Sequence, residues 1–340
     1  MRAPRAGIHR RVRKGWGRPA VCLLLAAAGC AAPDPDAVLQ LRFGHVGAPG
    51  SLFALSAEEF AARVNARLEG TAEVVVYGSS QLGGDEDLLQ KLKLGTVEMA
   101  LPSSIMSSRI PEFGLFEMPY IVSDRRHMVR IEEEIVWPTL APLAEDHGYR
   151  ILALWENGYR QVTNNLRPIR VPPDLDGVKL RTPRGTWRVK LFRQFGANPV
   201  PMAFSDVLVA LETGTVDGQE NPLAQIRASN LNEVQEYLSI TEHVYTPAYV
   251  TVSAEHWAEL PEEVRTVVEE EARALQSFVH QEARRLDREL LVELADSDIA
   301  INWATKSAFR QQSQQVYDEF ASEVPGGREL IDRVLSLLQP

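Results

Sequence analysis

From Leu39 onward, short apolar runs alternate with stretches in which apolar residues recur every three or four positions. A chain patterned this way folds as α/β layers, because period-two and period-3.6 segments must bury their apolar faces against one another. Leu39, Leu41 and Phe43 alternate with Gln40 and Arg42, a strand pattern. Phe53, Phe60, Val64 and Leu68 keep helical spacing up to Gly70. Glu73–Tyr77, Val97–Leu101 and Ile151–Trp155 read as further strands, and a helix is expected around His127–Ala144. Asp85 is placed to cap a helix holding Leu88, Leu89 and Leu92. A second lobe is expected to start near Asn157-Gly158. It holds a strand at Val178–Arg181, a helix at Trp187–Phe195, and a helix capped by Ser205 and stopped at Gly214, before Tyr249–Val252 returns as a strand. After Pro261 a helical pattern runs towards Glu293, longer than either lobe needs for itself.

The segment before Leu39 does not follow this pattern. Met1–Arg18 carries seven basic residues and no acid, and an apolar stretch from Ala20 to Ala28 leads into Gly29-Cys30. That order predicts a secretory signal peptide over residues 1–29. The stretch is too short for a bilayer span, which needs roughly 20 apolar residues. Small residues before Cys30 predict acylation of that cysteine, with residues 30–38 as a short tether. Cys22 lies inside the signal, so processing leaves no second cysteine for a disulfide.

Processing would leave 311 of 340 residues, a size suited to two lobes. It also removes seven of 36 basic residues, leaving 29 against 46 acids, a net of −17. So acidic a surface argues against a nucleic-acid partner. It also gives meaning to any buried site where arginines converge against the overall field.

Catalytic signatures are missing. There is no His-Glu-x-x-His, no Gly-rich phosphate loop and no Gly-x-Ser-x-Gly elbow, and the seven histidines have no metal-ligand spacing. Neither a cofactor nor a metal is expected.

Pro201–Pro222, with the core Phe204-Ser205-Asp206-Val207 and the ending Asp217-Gly218-Gln219-Glu220-Asn221-Pro222, closely resembles the signature segment of solute-binding proteins of tripartite ATP-independent periplasmic (TRAP) transporters. Four further motifs resemble the same family in the same order: Leu41-Arg42-Phe43-Gly44, Ser79-Ser80-Gln81-Leu82-Gly83, Asn157–Asn164 and Asp174–Arg181. The resemblance implies a two-lobed α/β periplasmic-binding-protein-like fold, with a ligand cleft between the lobes and a long helix across both. Lobe I would comprise residues 39–157 plus 247–286, and lobe II residues 158–246 plus 287–340. It also implies a small organic acid ligand (a dicarboxylate, sugar acid or keto acid), a membrane permease as partner, and no catalysis.

Arg181 ends a short strand, where its guanidinium offers two parallel donors that match a carboxylate. In similar proteins the matching arginine grips the ligand carboxylate. Arg160 is implied as a second cationic contact, with an interlobe ion pair as the other reading. Asn221, before Pro222, reads either as a helix cap or as a donor to the ligand. Phe204 would be core or ligand-packing, Asp85 a cap or a hydroxyl acceptor near the cleft mouth, and Glu220 structural. Relatives specialised for sialic acid carry polar residues where this chain has Val46 and Pro102. A ligand-sensing module of the same fold and a carboxylate-dependent hydrolase remain as other function classes.

Overall fold

The computed structural model describes residues 38–338; the predicted signal segment and Cys30 lie outside the described residues. Ten strands are present among them. These are β1 (Leu39–Gly44), β2 (Ala72–Tyr77), β3 (Met99–Ala100), β4 (Tyr149–Asn164), β5 (Lys179–Thr182), β6 (Asn198–Pro201), β7 (Gly218–Pro222), β8 (Tyr237–Ile240), β9 (Tyr245–Ser253) and β10 (Ala300–Trp303). The first lobe's sheet runs β2-β1-β3-β9-β4, with β1 parallel to both neighbours and β9 antiparallel to β3 and β4. The second lobe's sheet runs β4-β7-β5-β6, and β8 joins the far half of β4 and carries β10.

β4 therefore belongs to both lobes. Its first half pairs with β9 through Tyr159, and its last five residues, from Arg160, pair with β7. The strand changes sheets at Gly158, whose φ of +121° few L side chains adopt and where a Cβ would approach Pro222 to 3.3 Å. The sequence pattern shows only Ile151–Trp155 as a strand because the polar residues beyond it give no apolar alternation. Cross-strand pairing, not local propensity, extends β4 to Asn164.

Two apolar layers cover the opposite faces. Ile151 and Leu154 point into one, Leu152, Ala153 and Trp155 into the other. The alternation slips between Ile151 and Ala153, where β4 and β9 shift register, as a bulge requires. Trp155 packs edge-on against Phe43 and Phe60 at 6.2 and 5.8 Å, and its indole donates to the Ala272 carbonyl at 2.9 Å.

That carbonyl belongs to the long helical segment after Pro261. It is two helices, Glu262–Ala274 and Gln276–Ala295, interrupted only at the buried Leu275. The segment packs on helix Leu52–Arg67 of the first lobe and on helix Leu223–Ala228 of the second, so it crosses both. The helix expected near His127–Ala144 spans Arg125–Asp146, but Glu132–Leu140 is π-helical. Pro138 sits in this stretch, and its missing N–H cannot complete an α-helical ladder.

Candidate ligand-binding site

A solvent-reachable cavity of about 280 Å³ opens between the lobes. Val46, Phe53 and the start of helix Asp85–Lys93 form one wall, and Arg181 with Met202–Asp206 forms the other. Asn157, Arg160 and Asn221 enter from the crossing strands. All five residues singled out in the sequence, Arg181, Arg160, Asn221, Phe204 and Asp85, line this one cavity.

Arg181 is 3% exposed. Its Nε and Nη2 both donate to the Met202 carbonyl, at 3.0 and 2.6 Å, and its guanidinium lies 5.7 Å from the centre of the Phe204 ring. These neighbours fix the side chain without neutralising it. Among the described residues no carboxylate lies within ion-pair distance of Arg181. Burial accordingly pulls its pKa down to about 9, against the opposing attraction of Glu220 and Asp85. It is still charged at pH 7, and an anion entering the cavity supplies the missing counter-charge.

Arg160 is already matched. Its Nε lies 2.5 Å from Glu220 Oε2, and its Nη2 lies 2.9 Å from Glu220 Oε1 and 3.0 Å from Asn221 Oδ1. Arg188 reaches Glu220 at 2.6 Å and Glu117 at 2.9 Å, all three side chains buried. His243 Nε2 lies 3.0 Å from Glu220. Burial holds His243 down to about 4, so it is neutral at pH 7. With Nε2 donating to Glu220, its Nδ1 accepts from the Thr241 hydroxyl at 2.8 Å. Burial alone would raise Glu220, but the two arginines and His243 hold it well below the usual carboxylate range. Two cations and two carboxylates thus form a charge-balanced strut. It joins β4, β7 and helix Thr186–Gln194 behind the cavity.

Three local readings of the sequence are corrected here. Asp85 does not cap its helix: Gly84 is the N-cap, and the Gly84 N–H donates to Asp87 at 3.1 Å. Asp85 is the first helical residue, and its Oδ1 is shielded from solvent without a hydrogen-bond partner. Asn221 does not cap either. It lies in β7, with Pro222 as the cap residue, and its amide donates to Gln219 at 2.6 Å. Ser205 sits inside a 3₁₀ turn, Phe204–Asp206, and bonds Asp206 rather than a helix N–H.

Burial pushes Asp85 up to about 7, with Arg181 pulling the other way. A carboxyl raised in the folded state supports folding while protonated, and that support is lost as pH climbs through the folded value. Above pH 7 the buried anion burdens the fold. Asp85→Asn is therefore expected to make the ligand-free protein about 1–2 kcal/mol more stable than wild type at pH 8, after allowing for partial exposure. The gap should close towards pH 4. Urea unfolding at both pH values measures it, and an equal gap at both would reject this cause.

Sequence reasoning missed Ser103, Gln225 and the pair Glu86 and Arg184, all of which line the cavity. Nothing local marks them. Asn157 stood inside a recognised motif but was read only as a lobe boundary. Arg184 and Glu86 meet at 2.7 Å across the cavity mouth, one from each lobe and both substantially exposed. Such pairs contribute about 0–1 kcal/mol. Arg184→Ala is expected to raise a ligand's Kd about two- to fivefold, through faster dissociation. Stopped-flow release kinetics test this, and an unchanged off-rate would show that the pair does not hold the mouth.

Two α/β lobes that share crossing strands and enclose an unmatched cation define a solute receptor. A family model for bacterial extracellular solute-binding protein, family 7, matches residues 43–323. The chain belongs to this family, the solute-binding proteins of TRAP transporters. A solute-binding protein of Roseobacter denitrificans is 35% identical over 263 residues, 77% of this chain and 80% of that protein. The sugar acid binding protein of Advenella mimigardefordensis, solved with galactonate, superposes with a TM-score of 0.84 at 30% identity, covering 88% of this chain and 97% of that one. A TRAP periplasmic solute binding protein of Sulfurospirillum deleyianum, solved with succinate, gives 0.84 at 30% identity, covering 88% and 99%. Among the described residues, no helix is long and apolar enough to cross a membrane.

Proposed function

We propose that this protein captures a small organic acid by its carboxylate on Arg181 and delivers it, unchanged, to a membrane permease. The observation that carries this reading is a buried arginine held by a neutral carbonyl and an aromatic face, with its charge unmatched in an interlobe cavity. A carboxylate there accepts charge-assisted hydrogen bonds in a site partly cleared of water. Arg160 offers its remaining Nη1 edge, Asn221 borders the same wall, Phe204 packs on the ligand, and Asp85 accepts from a hydroxyl.

Residues 39–157 plus 247–286 move as lobe I, and residues 158–246 plus 287–340 as lobe II. Closure turns on β4 near Gly158 and on β9, a hinge motion of the kind such two-lobed proteins use. The Arg184–Glu86 pair then spans the closed mouth. No cofactor takes part and no bond of the ligand changes. Cys30, once acylated, tethers the receptor on the extracytoplasmic side of a membrane, and residues 30–38 give it reach.

A thermal-shift screen of residues 31–340 against organic acids and their neutral analogues tests the reading. Ligand that binds only the folded state raises the melting temperature. At least one carboxylate class should shift it and be recovered unchanged. A shift by neutral solutes alone, or conversion of the bound acid, would refute the reading.

A further inference from the structure

Likeness to solved relatives leaves two ligand classes open, since one holds galactonate and another succinate. The polar groups of this cavity separate them. Three cations line it: Arg160, Arg181 and Arg184. Arg160 is neutralised within the Glu117–Arg188–Glu220 strut, and Arg184 is paired with Glu86. Among the described residues lining the cavity, Arg181 alone is free to take a carboxylate, so the cavity has room for one anionic group.

The remaining unmatched groups are the Ser104 hydroxyl, which can donate or accept, and three acceptors. Asp85 Oδ1, Asn157 Oδ1 and Gln225 Oε1 are each shielded from solvent without a hydrogen-bond partner, and all three residues line the cavity. The Asn157 orientation follows from its neighbour. Ser103 Oγ donates to the Pro247 carbonyl at 2.6 Å, so towards Asn157 Nδ2, at 3.2 Å, it can only accept. The amide nitrogen therefore faces Ser103, and the carbonyl oxygen is the free group. Leaving three buried acceptors unmatched is costly, and only a ligand with several O–H or N–H donors removes that cost.

We propose that the site selects polyhydroxylated monocarboxylates, of the aldonate or uronate kind, over dicarboxylates. The single carboxylate takes Arg181, and the hydroxyls donate to Asp85, Asn157 and Gln225. A dicarboxylate at neutral pH has no proton at its second end, so that end sets an anion against Asp85 instead of donating to it; succinate, with no hydroxyl, would leave the other acceptors empty as well. This inference rests on the carboxylate-anchor reading above and narrows it.

Calorimetry at pH 8 on wild type and Asp85→Asn tests it with pairs that differ only at one terminus. The pairs are D-galactonate with galactarate and D-erythronate with meso-tartrate; succinate and galactitol serve as controls. The best monocarboxylate is expected to bind at least about 50-fold tighter than its dicarboxylate partner, since sites built for a hydroxyl reject analogues lacking it strongly. Asp85→Asn should shrink that ratio about tenfold, because an amide can donate to the second carboxylate. Equal or tighter binding of the dicarboxylates, succinate included, would overturn the inference and leave the Arg181 anchor standing. So would an unchanged ratio in Asp85→Asn. Galactitol binding as tightly as galactonate, or no acid binding at all, would overturn the anchor and the inference together.

Discussion

Arg181→Ala is expected to raise the Kd of any acid ligand about 100- to 10,000-fold while leaving the empty protein as stable as wild type or more so. The two halves of this result have one cause. Arg181 is buried with no carboxylate within ion-pair distance among the described residues, and burial has already drawn its pKa down to about 9. Without ligand its charge is therefore a burden, and removing it leaves only the Met202 carbonyl short of donors, a cost of about 1 kcal/mol. With ligand the same charge makes two charge-assisted bonds of about 1.5–3 kcal/mol each, which gives the expected loss of affinity. Arg181→Lys should recover little, since a point charge cannot offer two parallel donors. Calorimetry and urea unfolding on the same preparation read both halves. A variant that lost stability and affinity together would show Arg181 to be a structural residue.

Glu220→Gln is expected to act the opposite way, destabilising the protein by about 3–5 kcal/mol whether or not ligand is present. Glu220 is fully buried and accepts from Arg160, Arg188 and His243. Neutralising it leaves two buried guanidinium groups sharing Glu117 alone, and breaking a buried ion network costs far more than an exposed one. Arg160 then loses its fixed position at the cavity wall, so affinity falls as a consequence. Urea unfolding of the ligand-free variant measures the loss. Unfolding at wild-type denaturant concentrations would mean that the strut is not what joins β4, β7 and the helix Thr186–Gln194.

The sequence carried these two arginines unequally. Arg181 was singled out through the family motif around it, since an arginine at a strand end read alone would be a surface residue paired with one of many acids; the structure places it in the interlobe cavity. Arg160 was left between a ligand contact and an interlobe pair, because its partner Glu220 is 60 residues away and only the β4–β7 pairing brings them together. Ser205 was read as a cap, and Asp85 and Asn221 as either caps or ligand contacts, because acids, amides and hydroxyls beside helical periods have capping chemistry. Tertiary pairing overrode it for Asn221, which β4 draws into a strand. Asp85 moved by one position, enough to turn a satisfied cap into an unmatched acceptor in the cavity. Ser103 and Gln225 left no trace, because a polar side chain becomes a binding group only when two lobes bury it. The α/β alternation and the long helix were visible throughout, since periodicity is a local property. The break at Leu275 was not, since Leu275 keeps the apolar spacing.

Where a ligand's carboxylate sits decides most directly whether Arg181 is the anchor. A crystal structure of the protein grown with the tightest acid from the screen would show it. The carboxylate is expected in the interlobe cavity, with both oxygens within hydrogen-bond distance of the Arg181 guanidinium and the lobes closed over it. A carboxylate bound elsewhere, or an acid in this cavity with its carboxylate turned away from Arg181, would contradict the Arg181 anchor.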